Sequence, residues 1–148
     1  ASNVVTTGIE VEAQFPMQKG IEFLANTIAA FFRERYKDVS QEFRYDVVRG
    51  RLQTGTYIIR YSKITRKYDF KLKHDFSIRP RIGNIPIEII SPILYDEQDV
   101  DDFYGVLWTS HSHGAVAEPN SAGIHLHYGS SQPPTLAEVG ILGLFSID

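Results

Sequence analysis

Alternating and helical patterns of apolar positions predict the elements of the first half of the chain. Positions 4–15 alternate between apolar and polar residues and end at a proline, which predicts a strand. Between positions 19 and 36, apolar residues recur at helical spacing while charged residues gather at the end, which predicts an amphipathic helix. Residues 42–78 are rich in Tyr, Phe, Ile, Val and Thr, with glycines 50 and 55 as turn points, and predict three or four antiparallel strands.

The second half predicts two further strands and two helices. Residues 85–90 form a short apolar strand that a Ser-Pro pair ends, because proline removes a ladder donor. Residues 96–113 predict a helix with aspartates near its positive end, histidines near its negative end and Gly114 as its stop. After a Pro-Asn turn, residues 123–128 predict another strand. Within residues 133–148, a helix is predicted to begin at Thr135, although two internal glycines disfavour it.

This order of elements predicts an α+β fold, in which an antiparallel sheet carries helices packed on one face. The chain has 148 residues, of which 43% are hydrophobic and 22% charged, so its length suits one domain with its own core. No internal repeat or long linker divides it. We therefore expect residues 1–148 to form a single domain.

Charge and composition exclude several classes of function. The net charge of -3 gives no general attraction for nucleic acid or anionic membranes. The absence of cysteine rules out disulfides, thiolate metal sites and cysteine nucleophiles. No apolar run approaches the roughly 20 residues of a membrane span, and the first residues lack a signal-peptide pattern. We expect a cytoplasmic protein that binds neither nucleic acid nor membrane.

Three carboxylates on predicted strands are candidates for a cation site. Glu10 and Glu12 lie two residues apart on one strand, which places them about 7 Å apart on one face. Glu88 lies within an apolar strand, where a carboxylate must face water or acquire a partner such as a cation. Ordinary acidic residues on wet strand faces would give the same pattern, and the spacing alone does not decide between the two.

Pairs of histidines and of small polar residues add further candidates. His125 and His127 share one face of a predicted strand, which suits a metal or phosphate contact, although two exposed histidines would look the same. Asp75 and Ser77 share a strand face from which both side chains reach a ligand, or they are ordinary polar residues at a strand end. The chain lacks a phosphate-binding glycine loop, a Gly-x-Ser-x-Gly elbow and a His-Glu-x-x-His helix.

Four motifs follow one another along the chain: GIEVE at 8–12, HDFSI at 74–78, EIISPIL at 88–94 and SAGIHLHYG at 121–129. In this order they resemble the amidoligase family, carboxylate–amine ligases related to glutamate-cysteine ligase and glutamine synthetase. The resemblance implies the N-terminal part of a glutamine synthetase or glutamate-cysteine ligase-like fold. It also implies ATP and Mg²⁺ or Mn²⁺ as cofactors, and small-molecule or peptide carboxylates and amines as substrates.

The resemblance also implies roles for individual residues. Metal ligands are expected at Glu10, Glu12, Glu88, His125 and His127. Of these, Glu12, Glu88 and His127 are expected to be catalytic. His125, together with Asp75 and Ser77, is expected to bind the nucleotide or substrate.

Three alternatives to a complete ligase remain open. Relatives generally continue beyond the Gly-x-His-x-His strand, which favours the N-terminal half of a catalytic domain or a truncated binding or structural module. Self-association or a partner chain would then complete the site. A cupin-like metal oxygenase also favours His-x-His after glycine, but the Glu that such enzymes carry a few residues later is missing, and the early helix opposes an all-β barrel.

Overall fold

The computed structural model describes residues 7–37, 44–49, 57–63, 66–75, 77, 79–117 and 124–128. The elements are β1 (Thr7–Pro16), α1 (Ile21–Arg35), β2 (Arg44–Arg49), β3 (Tyr57–Lys63), β4 (Arg66–His74), β5 (Asn84–Ile90), α2 (Glu97–Ser112), β6 (Val116–Ala117) and β7 (Ile124–Tyr128). The predicted turn glycines 50 and 55, the Pro-Asn turn at 119–120 and the helix from Thr135 lie outside the described residues.

The described strands form one antiparallel sheet in the order β2-β3-β4-β5-β1-β6, with β7 also paired to β1. The structure confirms the α+β class. It also confirms the first strand, the helices predicted at 19–36 and 96–113, and the strands predicted at 85–90 and 123–128, with ends within a few residues of those predicted. The 42–78 region contains three described strands, within the predicted number. Since β1 pairs with β5 on one side and with β6 and β7 on the other, residues from distant parts of the chain meet along β1.

Alternation along β1 divides the sheet into two chemically different faces. The odd positions from Ile9 to Phe15 are buried, as are Phe70 and Leu72 on β4. They join both helices in one core, in which the Phe70 ring lies 5.1 Å from that of Phe32 on α1 and 6.0 Å from that of Phe103 on α2. Both helices therefore pack on the apolar face, as expected, and this excludes the all-β architecture of the oxygenase alternative.

Asp102 joins the two helices through a buried carboxylate. It was expected merely to complement the positive end of α2, but its side chain is fully buried. It accepts hydrogen bonds from the Arg35 guanidinium at 2.8 Å and from the Tyr36 hydroxyl at 2.6 Å. Burial, and next the bond to Asp102, raise the pKa of Tyr36 above its usual range, so this phenol remains a donor.

Caps fix both ends of α2. The Asp96 carboxylate accepts from the backbone N–H of Asp99 at 2.8 Å, and the Asp99 carboxylate accepts from the N–H of Tyr95 at 2.9 Å. His111 and Gly114 lie at the other end as predicted, and Gly114 has a φ of 108°. Neither described helix is both long and apolar enough to cross a membrane.

Candidate functional site

The strand pairing of β1 with β5 brings the three candidate carboxylates together. Glu12 is the direct partner of Glu88, and Glu10, two residues along β1, is the partner of Ile90. Direct partners on antiparallel strands share a face about 5 Å apart, so all three carboxylates lie on the face opposite the helices. Each of the three residues is half-buried.

Glu88 carries the electrostatic signature of this cluster. Its pKa is raised, first because burial removes solvent from the carboxylate and then because Glu10 and Asp75 repel its negative charge. Glu12 acts in the same direction, whereas the nearby Lys73 lowers the pKa. A positive ion in this position would offset both the desolvation and the repulsion.

The pairing of β7 with β1 places the two histidine positions beside the carboxylates. His125 is the register partner of Glu10, and His127 is the register partner of Gly8. The Gly-x-Glu-x-Glu and Gly-x-His-x-His motifs therefore lie on adjacent strands of the sheet. The imidazoles themselves lie outside the described side chains, so the expected metal contacts remain predictions.

Asp75 and Ser77 do not share a strand face, because both follow the end of β4. Of the two interpretations of the sequence, the shared face is wrong and the strand-end position is correct. β4 ends at His74, and the Asp75 carboxylate accepts hydrogen bonds from the Ser77 N–H at 3.0 Å and the Ser77 hydroxyl at 2.5 Å. Such local bonds favour a turn over a sheet ladder. The Asp75 N–H donates to the Pro86 carbonyl at 3.0 Å, which keeps this turn against β5 near Glu88.

Ser91 of the E-x-x-S-P motif joins β1 to the end of β5. Its hydroxyl accepts from the Ile9 N–H at 2.8 Å and donates to the Pro92 carbonyl at 2.7 Å, while its own N–H donates to the Ile9 carbonyl at 2.8 Å. Sequence reasoning treated this serine only as the end of a strand. Its motif position three residues after Glu88 was the available signal, because a buried hydroxyl at a strand end needs a backbone partner.

Lys71 and Lys73 are further residues that sequence reasoning missed. Lys73 is the register partner of Glu88, and Lys71 is the register partner of Ile90. The alternation of Phe70 and Leu72 with the two lysines indicated one shared face, but only the pairing of β4 with β5 brings that face to the carboxylates.

The carboxylates of Glu10, Glu12 and Glu88 suit a hard divalent cation, but the described side chains alone do not complete a metal site. Carboxylate oxygens are preferred ligands of Mg²⁺ and Mn²⁺. Among the side chains that the structure describes, no three of His, Asp or Glu are grouped closely enough to hold one ion. Further ligands would have to come from elsewhere in the chain, such as the two histidines of β7, or from a bound substrate.

The chain matches a known family over nearly its whole length. The model of a family described as "Putative amidoligase enzyme" matches residues 3–146. The match contains all four motifs on which the resemblance rests and continues past the last of them. No curated protein and no solved structure is significantly similar to the chain.

Proposed function

Because the chain belongs to the amidoligase family, we propose that it is an ATP-dependent carboxylate–amine ligase or the N-terminal part of one. The observation that supports this best is the direct pairing of Glu12 with Glu88, with Glu10 beside them on one sheet face. Joining a carboxylate to an amine in water requires activation of the carboxylate, and phosphoryl transfer from ATP provides it with the help of divalent cations.

Glu10, Glu12 and Glu88 are the proposed ligands of Mg²⁺ or Mn²⁺, with His125 and His127 completing the set from β7. When bound, such an ion neutralises phosphate charge and orients the transferring group. The strands supply rigid positions for these ligands. Burial and negative neighbours raise the pKa of Glu88, and a positive ion beside this carboxylate would offset both effects. Asp75 and His125 are proposed to contact nucleotide or substrate, with Ser77 holding the Asp75 carboxylate.

The proposed chemistry has two balanced steps. An oxygen of the acid substrate bonds to the γ-phosphorus of ATP while the bond to ADP breaks, which gives an acyl phosphate. The amine nitrogen then attacks the acyl carbon and expels phosphate, and the amine proton is lost to a base. Glu12, Glu88 and His127 are the proposed catalytic residues, and no covalent bond to the protein is required.

The first test is binding of the nucleotide. We expect ATP with Mg²⁺ or Mn²⁺ to raise the melting temperature of the chain by several degrees, since ligand at about 100 times its Kd contributes roughly 2.7 kcal/mol. Glu12→Gln should abolish this shift. Glu22→Gln, on an exposed position of α1, is the matched control and should retain it.

The second test is formation of the activated acid. Hydroxylamine traps acyl phosphates as hydroxamates, which give coloured complexes with Fe³⁺. The chain is incubated with ATP, Mg²⁺, hydroxylamine and pools of carboxylic acids. We expect hydroxamate and ADP in equal amounts from the parent and none from Glu12→Gln. A folded parent that binds no nucleotide would contradict the ligase proposal for this chain. It would favour a binding or structural module instead. Sedimentation then measures whether that module self-associates.

A further inference from the structure

Two half-buried lysines lie beside the carboxylate cluster on the same face of the sheet. Phe70 and Leu72 point into the core, so Lys71 and Lys73, which alternate with them, lie on the opposite face. Lys73, Glu88 and Glu12 are consecutive register partners across β4, β5 and β1. The next row contains Lys71, Ile90 and Glu10 in the same strand order.

Lys71 and Lys73 lie beside acidic residues, and the described side chains include no ion pair to either lysine. Lys73 is nevertheless close enough to Glu88 to lower its pKa. The face therefore presents adjacent strips of opposite charge, cationic on β4 and anionic on β5 and β1.

We propose that Lys71 and Lys73 bind the phosphate oxygens of a polyphosphate whose divalent cation is held by the carboxylates of β1 and β5. This inference rests on the proposed function and adds to it the residues that receive the anion. A lysine ammonium is a compact positive charge with three donors that suits phosphate oxygens. Partial burial strengthens such contacts because solvent screens them less.

The spacing of the two strips matches an extended metal-bound anion better than a single carboxylate. Lys71 and Lys73 are about 7 Å apart along β4, so their two ammonium groups can contact neighbouring phosphates of one polyphosphate chain. Two strand spacings, about 10 Å, separate the backbone of Lys71 from that of Glu10. A polyphosphate with its cation extends over both strips, whereas an isolated carboxylate would be repelled by the anionic one.

The test uses Mg²⁺ with inorganic tripolyphosphate, a probe that carries phosphates and no nucleoside. Titration calorimetry on the whole chain compares the parent with Lys71→Gln, Lys73→Gln and the double variant. We expect each single change to weaken binding about tenfold, as for loss of one charge-assisted hydrogen bond. Lys37→Gln removes an exposed lysine at the end of α1 and should leave binding unchanged.

Two methionine variants and a comparison ligand, malonate, make the result decisive. Lys71→Met and Lys73→Met repeat the test with an apolar side chain of similar length if a glutamine variant folds poorly, as judged by circular dichroism. Parental affinity in the double variant would overturn the inference. So would failure of the parent to bind tripolyphosphate, or tighter binding of malonate than of tripolyphosphate, since malonate carries carboxylates only.

The outcome separates this inference from the proposed function. Lysine-dependent binding of tripolyphosphate in a chain that forms no hydroxamate would support the anion site and contradict the ligase. If the double lysine variant forms hydroxamate at the parental rate and with the parental KM for ATP, the result would support the ligase and contradict the anion site.

Discussion

The hydroxyl of Ser91 accepts a hydrogen bond from the backbone N–H of Ile9 at 2.8 Å. Ile9 immediately precedes Glu10, and Ser91 follows β5, which carries Glu88. The reciprocal bond from the Ser91 N–H to the Ile9 carbonyl closes a two-bond link between the strands. This serine therefore fixes the register of the two strands at the point where they bring their carboxylates together.

Ser91→Ala should destabilise the protein measurably. The change leaves the buried Ile9 N–H without its acceptor, at a cost of about 1–3 kcal/mol in the free energy of unfolding. Ser91→Thr retains a hydroxyl and should recover part of the loss. The measurement is urea denaturation followed by circular dichroism.

The control for Ser91 is Ser112→Ala, which removes an exposed hydroxyl that donates to the Trp108 carbonyl on the last turn of α2. Its effect should remain within about 0.5 kcal/mol, as for other surface changes. Equal stabilities of Ser91→Ala and Ser112→Ala would show that the Ile9 link contributes nothing to the fold.

Glu88→Gln should stabilise the ligand-free protein at neutral pH. A raised pKa means that the folded state binds a proton at Glu88 more tightly than the unfolded state does. The stability from this group is thus fully present below the unfolded pKa near 4.5 and is lost as the pH rises through the folded value. Glutamine mimics the protonated form, so it removes that loss.

The expected gain is small because solvent screens this partly exposed group, about 0.5 kcal/mol or 1–2 °C in melting temperature at pH 7. The gain should vanish below pH 4, where Glu88 itself is protonated in both states. Melting curves from about pH 3 to 8 measure it, with the exposed Glu97→Gln as the control. A variant that is less stable than the parent at pH 7 without added cations would refute the repulsion argument.

Local patterns were sufficient to predict most of the elements that carry the site. The alternation in β1 and the apolar stripe of α1 follow directly from burial of one face, and Gly114 ends α2 because of its positive φ. These features depend on neighbours a few residues apart, which the sequence displays. The positions of Glu10, Glu12 and Glu88 on strands were therefore predictable before their pairing was.

Contacts between distant segments were not predictable in the same way. The register that sets Lys73 opposite Glu88 depends on which strands pair, and a shift by one residue would reverse the faces. Asp75 looked like a strand residue, yet its bonds to Ser77 favour a turn. Asp102 looked like a helix-end charge because its partners, Arg35 and Tyr36, lie at the C-terminal end of α1, far away in sequence.

Asp102→Asn should be strongly destabilising, whereas Asp101→Asn should not be. Both aspartates contact the Arg35 guanidinium, Asp102 at 2.8 Å and Asp101 at 3.1 Å. The Asp102 side chain is fully buried and the Asp101 side chain is 61% exposed. Loss of the buried charge leaves Arg35 and Tyr36 imperfectly partnered, at a cost of about 3 kcal/mol.

The neighbouring Asp101→Asn is a matched control because it removes the same charge from the same turn of α2. An exposed ion pair contributes up to about 1 kcal/mol. The melting temperature of Asp101→Asn should therefore differ from that of the parent by a few degrees at most. Thermal unfolding of the two variants at pH 7 gives the comparison. Similar losses for both would mean that burial of Asp102 does not control the strength of the contact between the helices.

Gly105 of α2 leaves room for the Phe31 ring of α1, and its replacement by alanine should weaken the contact between the helices. A Cβ atom built at position 105 would overlap the ring of Phe31, which lies on α1 and packs against the Arg35 guanidinium. Alanine gains about 1 kcal/mol in helix propensity over glycine. Overpacking costs typically 1–3 kcal/mol, so Gly105→Ala should be neutral to destabilising by up to about 2 kcal/mol, although a free helix would be stabilised.

A double-mutant cycle with Phe31→Ala separates the two effects. When the ring is absent, the overlap disappears and Gly105→Ala should show the stabilising propensity effect alone. The coupling energy between the two changes, measured by urea denaturation, should therefore be about 1–3 kcal/mol in favour of the double variant. Additive effects would mean that the ring moves aside without cost and that Gly105 does not set the distance between the helices.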